Sequence, residues 1–319
     1  MTLIELMVAL GIGSFLMIGA VSIFVQSRAT FRVNESIARL QENARYVFDV
    51  IEPDIRMAQY WGLRTRTSAI TGRARPDEPI SPLSPAGDCG TNWTVHLEQA
   101  VAGTDDGFGL ACSTYGTTAS AADTLVIRRA STATVASPVA NTLYLLTTRA
   151  DNSELFEGPT LPGSAGAGAE VRELIVNGYY VSENSSLDTP DYSVPSLRRK
   201  FLRGGAGGAT IADEEVLPGV EDLQIQFGID TDLAGTADHG TVDRYIDADD
   251  PVIDETDANF DPNARIVAVR LWLRLRSERP ERDLPAGPAF VYADQDLPPF
   301  TDDYRRLLVS KTIFLRNAR

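Results

Sequence analysis

Hydrophobic and polar positions divide the chain into three regimes. Residues Met1 to Val25, MTLIELMVALGIGSFLMIGAVSIFV, are apolar apart from one carboxylate, Glu5. From Leu6 to Val25 there is neither a charge nor an amide side chain. Twenty residues of helix rise about 30 Å at about 1.5 Å each, the depth of a bilayer's hydrocarbon core. Further on, Val33, Ile37, Leu40, Ala44, Val47, Ile51, Ile55 and Ala58 recur at steps of three and four. Arg32, Glu35, Arg39, Gln41, Glu42, Arg45 and Asp49 fill the other faces. This is the period of an amphipathic helix. The pattern predicts one helix of about 50 residues, with Pro53 a weak point near its end. Residues 1–28 form its transmembrane half and 29–62 its amphipathic half, packed on a globular domain.

Past Gly62 the period falls to two. In Arg265 to Arg276, Val267, Val269, Leu271, Leu273 and Leu275 share one face, with Arg270, Trp272, Arg274 and Arg276 on the other. Leu223, Ile225, Phe227 and Ile229 alternate with polar residues in the same way. Thr124 to Arg128, Thr142 to Thr148 and Glu173 to Val176 read as shorter strands. The last of these is expected to turn at Asn177-Gly178 into Tyr179-Tyr180-Val181, and Leu307, Val309, Ile313 and Leu315 mark a final strand. Short strands separated by turns and not interleaved with helices predict an antiparallel sheet, hence an α+β fold: a long helix on a β-rich domain spanning 63–319. Pro159 to Ala169 and Arg203 to Ala209 read as flexible loops or hairpin tips. No internal repeat is present, and one domain with long insertions is favoured over a split near Pro159 to Gly168.

Glu5 changes the reading of the first segment. A carboxylate unpaired in the membrane costs about 2.5 kcal/mol or more, so a positive partner met inside an assembly is expected. A cleaved signal peptide would carry a basic n-region and a shorter apolar core, whereas here no Lys or Arg precedes Arg28. The 319 residues carry a net charge of −15, which argues against nucleic acid and anionic membrane surfaces as partners.

The residues also resemble a known family. Thr2-Leu3-Ile4-Glu5-Leu6 is similar to the start of mature type IV pilins and type II secretion pseudopilins. Leu40 to Gly62 resembles the helix block of PilW-type minor pilins at Asn43, Ala44, Arg45, Tyr46, Asp54, Ile55, Arg56, Ala58, Tyr60 and Gly62. The stretch from Asp303-Tyr304-Arg305-Arg306 through Thr312 to Leu315-Arg316-Asn317 is similar to the family's closing strand. Met1 stands where most relatives have Phe, Gln59 where many have Gly, and the leader ending in Gly is absent. The resemblance implies a structural rather than enzymatic protein. It places processing by a prepilin peptidase, and N-terminal methylation, at Met1, and an assembly role at Glu5.

It further implies that the apolar half-helix sits in inner-membrane lipid, with the head in the periplasm, until inner-membrane machinery extracts it. The subunit then joins other minor pilins, the major pilin and a tip adhesin at the end of a filament used in twitching and adhesion, where it helps initiate assembly. The alternatives are a type II secretion pseudopilin of the J or K kind, or a membrane-anchored periplasmic enzyme or binding protein.

An exported domain favours a disulfide between Cys89 and Cys112, 23 positions apart, over zinc ligation, with two free buried thiols as the alternative. Closing such a loop contributes about 3 kcal/mol in the chain-entropy account. Catalytic constellations are not found. The two histidines, His96 and His239, lie outside any metal or nucleophile motif, and His239 reads as a solvated loop residue. Gly204 to Gly208 lacks the lysine and hydroxyl of a phosphate loop. The stretch from Asp230 to Asp261 is rich in carboxylates, and a hard cation such as Ca²⁺ takes such ligands. Asp247, Asp249, Asp250 and Asp254 are the candidate set, but EF-hand spacing is missing and acidic loops are usually just solvated. No cofactor is otherwise expected.

Overall fold

The computed structural model describes all residues except 1, 65, 150–152, 234, 237, 256, 282–283 and 319, and the backbone alone of Ala29. Met1 therefore lies outside the described residues. One helix, α1, runs from Leu3 to Met57. Thr2 caps it: the Glu5 amide donates to the Thr2 hydroxyl at 3.3 Å, and the Thr2 amide donates to the Glu5 carboxylate at 2.8 Å. Pro53 lies inside the helix without ending it. Both Pro53 and Asp49, whose carbonyl loses its amide partner, are exposed, so water can serve the orphaned oxygen.

Every described side chain from Thr2 to Arg28 is exposed. The helix is long and apolar enough to cross a membrane. Burial starts later than the periodicity suggests. Val33 is half-buried and Ile37 exposed, and the covered stripe is Leu40, Ala44, Val47, Ile51, Ile55 and Ala58. Among the described residues, the fully buried stripe begins at Leu40.

Fourteen strands follow among the described residues: β1 (Ile70–Thr71), β2 (Val101–Thr104), β3 (Thr124–Ala130), β4 (Leu143–Thr147), β5 (Ser153–Glu157), β6 (Glu170–Ser182), β7 (Ser196–Gly205), β8 (Gly208–Pro218), β9 (Val220–Asp230), β10 (Arg244–Asp247), β11 (Arg265–Arg276), β12 (Phe290–Tyr292), β13 (Gln295–Leu297) and β14 (Arg306–Phe314). The first eight form one sheet around β6, which pairs with β4 along 170–173, β3 along 174–179 and β7 along 177–182. A second sheet has the order β10-β9-β11-β14, and β12 and β13 make a separate hairpin. Among the described residues, the strand pairings are antiparallel except the two-residue β1–β5 contact, and a lone parallel bridge joins Ala86 to Thr210.

The expected turn at Asn177-Gly178 does not form. Both residues lie within the continuous strand β6, paired on one edge with β3 and on the other with β7. Tertiary pairing overrides a good turn dipeptide because the Asn177 side chain is engaged by the helix. By contrast, the Gly-rich 203–209 segment does form a tip, joining β7 to β8.

One apolar cluster joins the helix stripe to both sheets. Leu125 and Ile127 of β3 and Tyr179 and Val181 of β6 meet Leu223, Ile225, Phe227 and Ile229 of β9 and the five alternating apolar residues of β11. The opposite face of the larger sheet, with Val126, Leu174 and Val176, is closed by Trp61, Trp93, Val95 and the disulfide-bearing loops. The 277–305 segment covers the polar face of β11. There Arg274 and Arg306 reach Glu221, and the Tyr292 hydroxyl donates to Asp222.

Candidate functional site

The residues singled out in the helix block converge on the joint between helix and head. Asp54 is 4% exposed, one turn from the helix end. Its Oδ1 accepts from Arg129 Nε at 3.0 Å and Nη2 at 2.7 Å, and its Oδ2 accepts from Asn177 Nδ2 and the Tyr179 hydroxyl, both at 2.6 Å. Arg129 stands on β3, and Asn177 and Tyr179 face the helix from β6, two residues apart on one side of the strand. Burial, then the Asp54 charge beside it, pushes the Tyr179 phenol well above its ordinary range, so it stays a neutral donor.

The rest of the block serves the same joint. The helix closes at Met57, and Gln59 takes a left-handed conformation at φ +62° beyond the Ala58 cap. This is the position where glycine ends helices most cheaply. The Tyr60 carbonyl accepts from the Ala130 amide at 2.6 Å, and the Tyr60 ring lies under the Arg172 guanidinium at 5.4 Å. Gly62 has φ +74°, and a Cβ there would lie 2.8 Å from the Thr147 hydroxyl. Arg56 pairs with Glu52 at 2.6 Å. Asn43, Arg45 and Tyr46 behave differently. Tyr46 is 50% exposed, the exposed Arg45 reaches Asp49 only at 4.0 Å, and Asn43 lines an open groove of about 700 Å³ between α1 and residues 276–281.

The two ends of the chain meet at this joint. Lys311 of β14 donates to Glu52, the Arg316 amide donates to the Arg56 carbonyl at 3.1 Å, and Asn317 Nδ2 donates to the Ala58 carbonyl at 3.2 Å. The hydrogen bond from Lys311 holds the Glu52 carboxyl below its usual range against its partial desolvation. Higher on the helix, Ser36 donates to Glu281, which Arg305 also pairs at 2.9 Å. Sequence reasoning missed Arg129, Asn177, Tyr179 and Lys311. Each lies on a strand distant in sequence, and only the unusual Asn-Gly inside an apolar run hinted at one of them.

At the other end of the helix, Glu5 is exposed and, among the described residues, engaged in the capping box with Thr2. Cys89 and Cys112 are joined, with an S–S distance of 2.05 Å.

The acidic candidates do not converge as a set. Asp247 accepts from Gln226 at 3.0 Å, and Asp250 caps the 3-10 turn Pro251–Ile253. The carboxylate groupings among the described residues lie elsewhere: Asp105, Asp106 and Asp294; Asp230, Asp232 and Asp243; and His96, Glu98 and Glu255. Burial first, then the charges of Asp294, Asp106, Asp249 and Asp247, raises the Asp105 carboxyl to about 6. In the last grouping the carboxylates are taken by cations, Glu98 by Arg73 at 3.1 Å and Arg75 at 2.5 Å, and Glu255 by Arg75 at 3.5 Å. His96 is 6% exposed, and burial followed by the Arg128 charge pushes its imidazole down to about 4. The expectation of a solvated His239 is corrected. Its ring is only 22% exposed, with Nδ1 3.3 Å from the buried Asp230 and Nε2 3.4 Å from Arg265.

Residues 178–317 match the family described as "PilW: Type IV Pilus-assembly protein W". The match starts within β6 and runs past β14, so it leaves out the helix block that carries the resemblance in the sequence. No protein of curated function matches the chain. Among solved structures, a type IV-like pilin from Thermus thermophilus is 15% identical, covering 57% of this chain and 87% of its own, with a TM-score of 0.26. A superposition at that score says nothing of the fold. The match over residues 178–317, with one long apolar helix leading into an antiparallel β-rich head, supports a PilW-type minor pilin.

Proposed function

We propose that this chain is a low-copy minor pilin that helps initiate a type IV pilus and stays at its tip. The observation that carries this reading is a continuous helix whose first 25 or so residues are apolar and find no cover in the chain itself, anchored rigidly to a large head. Before assembly, inner-membrane lipid covers that surface while the head lies in the periplasm. Afterwards, the helices of other minor pilins and the major pilin cover it. Burial passes from lipid to protein, so extraction by the assembly machinery need not expose the helix to water for long. The role is structural, and a tip adhesin is a fitting partner for so large a head.

Glu5 is the residue on which assembly should depend. Its carboxylate, here serving the helix cap, meets the α-amino group of an adjoining mature subunit in the filament. Glu5→Ala and Glu5→Val are expected to insert in the membrane normally and to join filaments poorly. Deleting the gene should cut surface pili and twitching while leaving the major pilin made and inserted. Normal pilus numbers in the deletion strain, or immunogold label spread along the shaft, would defeat the tip-initiator reading. Loss of secretion with intact pili would favour the pseudopilin alternative.

A further inference from the structure

The closing strand ends the smaller sheet with its outer edge bare. β14 pairs through nine residues with β11, and among the described residues no backbone group from 306 to 314 bonds to any other strand. A bare edge is a template for another strand, and proteins commonly blunt one with charge, proline or a bulge. Here the run Leu307 to Phe314, LLVSKTIF, has no proline and a single charge. That charge, Lys311, is turned to Glu52 on the helix, and the register with β11 carries no bulge.

A groove of about 520 Å³ runs beside this edge, between α1 and β14, with Ala44, Phe48, Leu307 and Val309 as its apolar floor. A second hollow, which shares Asp49 with it, is lined by Glu52, Arg56 and Arg316. Along the two, Arg45, Arg56, Lys311 and Arg316 outnumber Asp49 and Glu52 by two, on a chain whose net charge is −15. Arg316 is exposed, with no carboxylate in pairing distance among the described residues.

We propose that the open edge of β14 receives an extended segment of another protein by strand addition. That segment carries apolar residues at alternate positions and a carboxylate at the end that lies beside Arg316. Three features of the site ask for this occupant together. The bare amides and carbonyls gain main-chain partners, every second side chain of the added strand enters the groove, and the carboxylate meets the local surplus of positive charge. Edge and groove would serve in this way whatever filament the chain belongs to.

The test uses the full chain in detergent micelles and a labelled peptide of nine residues, the length of β14, alternating valine and threonine with glutamate at both ends. Saturable binding is expected, with new hydrogen-exchange protection confined to residues 306–314. Arg316→Glu should weaken that binding about fivefold or more, and a lysine-ended peptide should recover it on this variant. No saturation below about 1 mM, protection elsewhere, or equal binding of both peptides to the unaltered chain overturns the proposal. Protection of 306–314 that grows with chain concentration and needs no peptide also overturns it, since a second copy then fills the edge.

Discussion

Replacing Asp54 with alanine removes an acceptor shared by three donors from two strands. Breaking a buried ion pair by deleting one partner costs about 3–5 kcal/mol, because the other charge is stranded. The Arg129 side chain is 15% exposed, so it can recover some water, which puts its share at the lower end. Asn177 and Tyr179, at 5% and 0% exposure, cannot, and each orphaned donor adds about 1 kcal/mol or more. The total is about 5 kcal/mol, and for a domain of this size about 3 °C per kcal/mol makes it about 15 °C in melting temperature. Asp54→Asn keeps the volume but turns an amide towards donors, and should lose about half as much. Thermal unfolding of the full chain in detergent, followed by tryptophan fluorescence, measures both. A double-mutant cycle with Arg129→Met should show coupling of about 2 kcal/mol. A drop below about 3 °C for Asp54→Ala, or strict additivity with Arg129→Met, refutes the view that this carboxylate holds the helix to the head.

Gln59→Gly should raise the melting temperature by about 3 °C, since it removes the cost of about 1 kcal/mol of a left-handed non-glycine; an unchanged or lower value contradicts the cap described. His96 is held neutral in the fold, with its imidazole at about 4 against an ordinary value near 6.5, so the folded state binds fewer protons than the unfolded one between those values and loses stability as pH falls through them. The melting temperature of His96→Gln relative to the native chain should therefore climb between pH 7 and pH 5, and a constant gap would show that His96 titrates normally. Intact mass under non-reducing conditions should be two hydrogens below the reduced form, and alkylation of Cys89 and Cys112 in exported protein would disprove their bond. Millimolar Ca²⁺ is expected to leave the melting curve where it is with chelator, because Asp247, Asp249, Asp250 and Asp254 do not form a common grouping; a rise of several degrees would reveal a site.

What the sequence showed best is what repeats at short range. The helix, the alternation in β9, β11 and β14, and the glycine-rich tip at 203–209 each follow from a local pattern, and the structure realises them. The errors came where distant residues decided the outcome. Val33 and Ile37 continue the apolar stripe, yet no strand reaches them, so they stay half-buried or exposed. Asn177-Gly178 has the chemistry of a turn, but Asp54, 123 positions away, engages the asparagine inside a strand. His239 reads as a loop residue, and only folding brings Asp230 and Arg265 to its ring. The site itself was half legible. Family likeness pointed to Asp54, Tyr60 and Gly62 without their partners, because Arg129, Asn177 and Lys311 sit on strands whose own patterns say nothing of the helix.

The placing of polar contacts at this joint has a mechanical consequence. Apolar packing alone, from Leu40 to Ala58, is non-directional, and a helix gripped only by such a stripe can slip by a turn, about 5.4 Å, or rotate at small cost. Hydrogen bonds do not tolerate such a shift. Asp54 takes donors from β3 and β6, Glu52 takes one from β14, and the carbonyls of Arg56 and Ala58 take two from the residues just after it. These contacts come from both sheets, so slip and rotation each break several at once. The exposed half of the helix is thereby held in one register against the head. A neighbouring subunit that packs on residues 3–28 would then find Asn43, Tyr46 and the bare edge of β14 always in the same place relative to Glu5.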